Sequence, residues 1–396
     1  MMGPLDPVAV APEGASYEPF DPGYVRDVVD EVFGPNMHAW FRPRVLGAHR
    51  LPTHGPVLLA GNHSGNAFPY DAMIVDALLW ERDGFRPGLK FRSVFEKELA
   101  LAWWMRPFGL DNFWRRCGGV DATFDNIDRL LEAGRRVIYY PEGVPGIGKG
   151  FFRRYELQRF STSFVVLAAR HDVPVHPLYI VNAEWIVPFC FTLRPVDWLV
   201  DRLLHVPFLP LPMAALGIAF PFAWYLAFPI RLVAVVGESI DVRGMLRKVA
   251  GVSPERAERA HFRAVADEIR AHMQRELDVQ VDRHGARPYH ARSLRRELER
   301  AVRERRLTRV LPTGWPAGFI RFERDRHRGP ARSRLHALAR DWDLVGFYLP
   351  FGWPVLSATR ALRKPPYGYR GMRADERRER EGAFVWKLAE RPLPPL

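Results

Sequence analysis

The chain has 396 residues, 47% of them hydrophobic, which is enough for a full core in one large domain with an extension, or in two domains, and excludes a disordered chain. A formal net charge of +13 directs attention to phosphate-bearing partners: nucleic acid, anionic lipid headgroups, or phosphorylated substrates and cofactors. The two cysteines, Cys117 and Cys190, match no zinc or redox spacing and are expected as reduced core thiols.

Residues 1 to 21 are rich in Pro and Gly and carry acidic but no basic residues. A flexible arm is expected there, without the charged-then-apolar order of a signal peptide. From Pro22 to Val45 the spacing of Tyr24, Val25, Val28, Val29, Val32 and Phe33 is helical. Arg44 to Pro52 reads as a short strand, and Thr53 to Pro56 as a turn. The apolar run Val57 to Ala60 reads as a buried strand that stops at Gly61-Asn62-His63-Ser64-Gly65. Pro69 then fits the first turn of a helix through Leu79. His63 is thus expected just beyond a strand's carboxyl end, where open α/β sheets keep their ligands.

Further on, Lys90 to Lys97 suggests a strand and Leu99 to Phe108 a helix. The turn Cys117-Gly118-Gly119-Val120 precedes a helix from Phe124 to Ala133 that Gly134 ends. Arg136 to Tyr140 is a strand that runs into Pro141-Glu142-Gly143, and a helix from about Leu157 to Arg170 leads to a strand over Val173 to Val181. This alternation predicts an α/β fold with a largely parallel sheet flanked by helices. Val206 to Ile230 spans 25 residues without a charge, but Pro207, Pro210, Pro212, Pro221 and Pro229 would break a membrane-spanning helix. An interfacial or re-entrant segment is expected instead, followed by a last core strand, Leu232 to Gly237.

The C-terminal part changes character. Ser253-Pro254-Glu255 has the form of a helix start, and Phe262, Val265, Ile269, Met273 and Leu277 follow at amphipathic spacing. Between Arg283 and Arg340 stand seventeen arginines against five carboxylates, and Leu344 to Thr359 is charge-free and aromatic. Residues 246–396 are therefore expected as a basic, mostly helical region with features of a surface that faces anionic lipid.

Two constellations carry chemistry. A histidine at a strand end with an aspartate one helix turn away can form a relay in which the carboxylate fixes the imidazole tautomer and the free nitrogen takes a proton. The serine elbow of hydrolases is absent, because Ser64 stands one place late. The second is the glycine-rich turn Gly143, Gly146, Gly148, Gly150 beside Lys149, Arg153, Arg154 and Arg159, which suits an anion but lacks the Ser/Thr that closes a P-loop.

Asn62-His63 with Asp71, Gly118-Gly119-Val120, Tyr140-Pro141-Glu142-Gly143 and Val173-Pro174-Val175-His176-Pro177 stand in the order of the motifs of the PlsC-like glycerolipid acyltransferases. The chain resembles the bacterial acyltransferase-like branch of that family over roughly Val45 to Ile240. The resemblance implies an acyltransferase domain at 22–245 in which His63 deprotonates an acceptor hydroxyl and Asp71 orients His63. It further implies that Asn62, Glu142, Gly143, Lys149 and Arg159 order the site or hold substrate. No metal or bound cofactor is implied; acyl-CoA or acyl carrier protein would be the donor and a lysolipid or alcohol the acceptor. The expected location is peripheral or monotopic on the cytoplasmic face of a membrane, with no nucleic-acid partner. Two positions depart from the family pattern. Seven residues separate His63 from Asp71 where four are usual, and Phe68 stands at the usual aspartate position. After the glycine turn, Asp121-Ala122-Thr123 replaces the arginine of many glycerol 3-phosphate binders. A neutral alcohol acceptor, or a non-catalytic lipid-binding scaffold on the same fold, are the alternative readings.

Overall fold

The computed structural model describes residues 21–64, 68–95, 114, 117–204 and 208–356. The expected arm, apart from Asp21, the helix Leu99 to Phe108, and the end of the aromatic segment at 357–359 lie outside the described residues.

Seven strands form one sheet: β1 Arg44–Leu46, β2 Val57–Gly61, β3 Phe91–Phe95, β4 Val120–Asp121, β5 Arg136–Tyr139, β6 Val175–Val181 and β7 Val233–Val236. Their order is β1-β7-β6-β2-β5-β3-β4. Five strands run parallel, while β7 is antiparallel to β6 and carries β1 parallel to itself. β2 lies between β5 and β6. The chain leaves β5 on one side of β2 and returns as β6 on the other, which makes the carboxyl end of β2 a topological switch point.

The apolar run of β2 follows from burial on both faces. Val57 and Leu59 face one core, together with α1 Pro22–Val28 and α2 Tyr70–Arg82. Leu58 and Ala60 face the other, with α3 Phe124–Glu132, α4 Ser163–His171, α7 Val242–Ala250 and α8 Arg259–His284. Between α4 and α7 lie α5 Arg194–Leu204 and α6 Met213–Ala219. After α8 come α9 Ala291–Arg303, α10 Trp315–Arg328 and α11 Arg334–Asp341.

Two helix starts differ from the sequence expectation. The helix expected from Leu157 begins at Ser163, because the preceding amides have partners elsewhere: Leu157 donates to the Gln274 side chain, Gln158 to Glu142 and Ser161 to the Pro141 carbonyl. A backbone committed in this way cannot also close helical turns. Similarly, Pro254–Arg256 forms an isolated turn, and α8 starts at Arg259 behind a reciprocal Glu258/His261 cap. Phe262, Val265, Ile269, Met273 and Leu277 are buried as their spacing requires, and α8 packs against β6.

Among the described residues no helix is long and apolar enough to cross a membrane. The charge-free stretch divides instead. Met213, Ala214, Tyr225, Ala227 and Ile230 are buried, whereas Leu216, Ile218, Phe220 and Phe228 are exposed. The later aromatic segment lies against the same stretch: the Phe351 amide donates to the Ala219 carbonyl and the Trp353 indole to the Gly217 carbonyl, and Phe222 stacks on Tyr348. Val345, Tyr348, Leu349 and Phe351 remain exposed. Part of the arginine excess is structural. Arg324 is buried, with Asp341 at 2.9 Å and Asp343 at 2.6 Å.

If α8 completes the second core, Met273→Ala should lower unfolding stability by about 2–5 kcal/mol, the usual cost of truncating a buried methionine. Urea titration of the two proteins checks this; a loss within about 0.5 kcal/mol, as at a surface position, would contradict it.

Candidate active site

The strand register builds the site. Ala60 pairs with Tyr139 and Gly61 with Leu178, so three residues past the paired positions His63 comes alongside Glu142. There the backbone ladder is replaced by a side chain: the His63 amide donates to Glu142 Oε1 at 2.9 Å. On the other flank the Asn62 carboxamide acts as a strand residue would, donating to the Ile180 carbonyl (3.1 Å) and accepting from the Ile180 amide (2.7 Å). Asn62 is thereby spent on holding the loop to β6.

His63 is 7% exposed, and its ring stacks on Tyr140 with centroids 4.2 Å apart and planes 13° from parallel. Gly61 allows this approach, since a Cβ there would lie 2.9 Å from the Tyr140 ring. Gly146 has the same role from the opposite side: its Cβ would fall 2.6 Å from the Glu142 Cβ and 3.1 Å from that of His63. Gly143 turns the chain with φ +57° and ψ −149°, a region open essentially to glycine alone.

Asp71, at the start of α2, is buried and reaches the histidine despite the long spacing. Its Oδ2 lies 3.6 Å from His63 Nδ1 and accepts from the Ser64 amide at 3.0 Å. Burial pushes the Asp71 carboxyl up, but the His63 contact and the Ala72 and Ser64 hydrogen bonds outweigh it and hold the group below its ordinary value. Among the described residues His63 Nε2 has no hydrogen-bond partner. Burial, reinforced by the charges of Asp71 and Asp76, holds the Tyr140 phenol well above its usual range.

Glu142 has a second oxygen with two further contacts. Oε2 accepts from the Gln158 amide at 2.7 Å and faces Lys149 Nζ at 3.7 Å, both charged side chains being fully enclosed. Lys149 also donates to the Glu156 carbonyl. Lys149 is therefore an internal counter-charge, while Arg159 is exposed. The structure thus brings together His63, Asp71, Asn62, Glu142, Gly143 and Lys149, and leaves Arg159 at the surface. The Gly118 turn feeds β4, which β5 and β3 separate from β2. Among the described residues no group of three or more His, Cys, Asp or Glu side chains is disposed to hold a metal ion.

One buried acid has no motif to announce it. Glu184, 1% exposed, accepts from the Tyr155 amide through Oε1, while Oε2 has no partner. Burial pushes its carboxyl up to about 8, against the charge of Lys149 and the Tyr155 hydrogen bond, with Asp71 adding to the rise.

Residues 42–181 match the model of the Acyltransferase family. Uncharacterized proteins of Mycobacterium tuberculosis and Mycobacterium leprae are each 28% identical over 219 residues, or 53% of this chain. The chain spans 57% and 56% of those relatives' lengths. The crystal structure of the 1-acyl-sn-glycerophosphate acyltransferase PlsC from Thermotoga maritima is similar at a TM-score of 0.37 and 14% identity, over 65% of this chain and 81% of that one.

The raised carboxyl of Glu184 fixes the sign of a pH effect. A folded-state value above the unfolded one stabilises the protein fully below about 4.5, and this contribution is lost as pH rises to about 8. Glu184→Gln keeps the acceptor for Tyr155 and cannot ionise. Urea titrations at stepped pH should find wild type losing stability relative to the variant across this window; parallel profiles would refute the assignment.

Proposed function

We propose that this protein transfers a fatty acyl group from a thioester, acyl-CoA or acyl carrier protein, to a hydroxyl of a lysophospholipid or related glycerolipid at a membrane surface. The observation that carries the reading is the His63–Asp71 pair: a buried imidazole with one nitrogen toward a carboxylate and the other unpartnered, just past β2 in the family-matched stretch. Asp71 favours the tautomer with the proton on Nδ1 and leaves Nε2 as the base. Nε2 takes the hydroxyl proton, and the oxygen attacks the thioester carbonyl. The C–S bond then breaks, and the imidazolium returns the proton to the departing thiolate. The protein supplies no nucleophile, and no bound cofactor enters the sequence.

The exposed apolar residues of the 216–228 stretch and of 345–351 lie on segments that touch one another. In this reading they meet lipid, in a chain of net charge +13 that is attracted to anionic headgroups. The protein is then peripheral or monotopic on the cytoplasmic face. One observation favours a second acceptor class. Lys149 is consumed by Glu142 and so is not a free cation beside His63, which suits a neutral alcohol such as a monoacylglycerol or a long-chain alcohol.

Purified protein on anionic liposomes, given radiolabelled acyl-CoA or acyl carrier protein and a panel of lysolipids and neutral alcohols, should form a labelled ester. His63→Ala should reduce its rate by a factor on the order of 100 or more, as loss of a general base does. Ester formation that survives this change would sink the mechanism. Liposome binding without turnover by any donor would favour a non-catalytic lipid-binding scaffold.

A further inference from the structure

Asp71 is the second residue of α2, and its carboxylate can serve His63 only while the first turn of that helix keeps its rotation. Pro69, which precedes the helix, makes no side-chain capping bond. The constraint comes from Tyr70, the first helical residue. Its side chain points away from the relay into an aromatic cluster, where the rings of Phe41 and Phe68 lie 5.1 and 4.8 Å away. The phenol donates to the Tyr225 carbonyl at 2.7 Å and accepts from the Trp315 indole N–H at 3.2 Å. Tyr70 and Trp315 are each 2% exposed. Tyr225 and Trp315 pack edge to face at 5.1 Å, and Phe68 touches both at 5.4 Å. A phenol held at both donor and acceptor leaves the helix start little freedom to turn. Both partners lie outside the stretch that matches the family model, residues 42–181.

We propose that Tyr70 and Trp315 are positioning residues for Asp71, so that the start of α10 in the C-terminal region sets the geometry of the relay. This rests on the acyl-transfer reading for its catalytic consequence, but its geometric content does not. A shift of about 1 Å in an orienting group is enough to lower a rate severalfold or more. An aromatic cluster that merely filled the core would affect stability without acting through Asp71.

The test uses the full chain with Tyr70→Phe and Trp315→Phe. Each keeps a ring in place and removes hydrogen bonds at Tyr70. Circular dichroism confirms folding, and the second variant decides if the first does not fold. The rate at which diethyl pyrocarbonate modifies His63 is followed by mass spectrometry of the His63 peptide, with Asp71→Asn for comparison. Each variant should change that rate about threefold or more in the direction set by Asp71→Asn, and should add nothing in the Asp71→Asn background, as residues acting through one partner do. In turnover, kcat should fall about five- to tenfold with KM within about twofold. Unchanged His63 reactivity in a folded variant, or an effect that adds to that of Asp71→Asn, overturns the proposal. A wild-type protein without acyl transfer, but with coupled His63 reactivity, refutes the acyl-transfer reading and upholds this one.

Discussion

The arrangement depends on one carboxylate. Glu142 accepts the His63 amide with one oxygen and the Gln158 amide with the other, and faces Lys149 across 3.7 Å in an enclosed space. Three stretches of chain that have no helix or strand of their own at this point are tied to a single group. Removing one member of such a pair leaves a buried charge without compensation, which is far costlier than losing a surface ion pair. The His63 loop cannot shift without breaking its bond to Glu142, the same carboxylate that holds the Gln158 segment. Asn62 closes the remaining side, against β6.

The wider fold serves this junction. Two cores enclose the sheet, so β2 is buried along its whole length up to the switch point beyond it. The first core includes the residues around Trp315 and Phe347, far along the chain. The second includes α8. Of the C-terminal helices, α8 packs against the same sheet that presents His63, and the aromatic segment around Tyr348 to Trp353 lies against the 216–228 stretch.

What could be read from the sequence divides along physical lines. Strands buried on both faces show as unbroken apolar runs, so Val57 to Ala60 and Val173 to Val181 were legible, as was the amphipathic spacing of α8. His63 and Asp71 were legible as a histidine just past an apolar strand with an aspartate at the following helix start, and Glu142 through the resemblance of Tyr140-Pro141-Glu142-Gly143 to a family motif. Strand order is not written locally. Nothing near residue 60 says that β5 is its neighbour, so the bond from His63 to a glutamate 79 positions away could not be foreseen. The helix expected from Leu157 failed for the same reason, its amides being committed to Gln274, Glu142 and Pro141. Lys149 looked like an anion-binding lysine because its glycine-rich surroundings are local, whereas its partner is set by folding. Glu184 and Trp315 carry no motif at all, and only burial gives them significance.

The central claim is that Glu142 clamps the His63 loop, and amide hydrogen exchange at His63 and Gln158 tests it most directly. Both N–H groups end on the same carboxylate, so both should exchange at least about a thousandfold more slowly than in an unstructured peptide, in step with the amides of β2. Exchange of the two at the rate of an open loop, while β2 stays protected, would contradict the account.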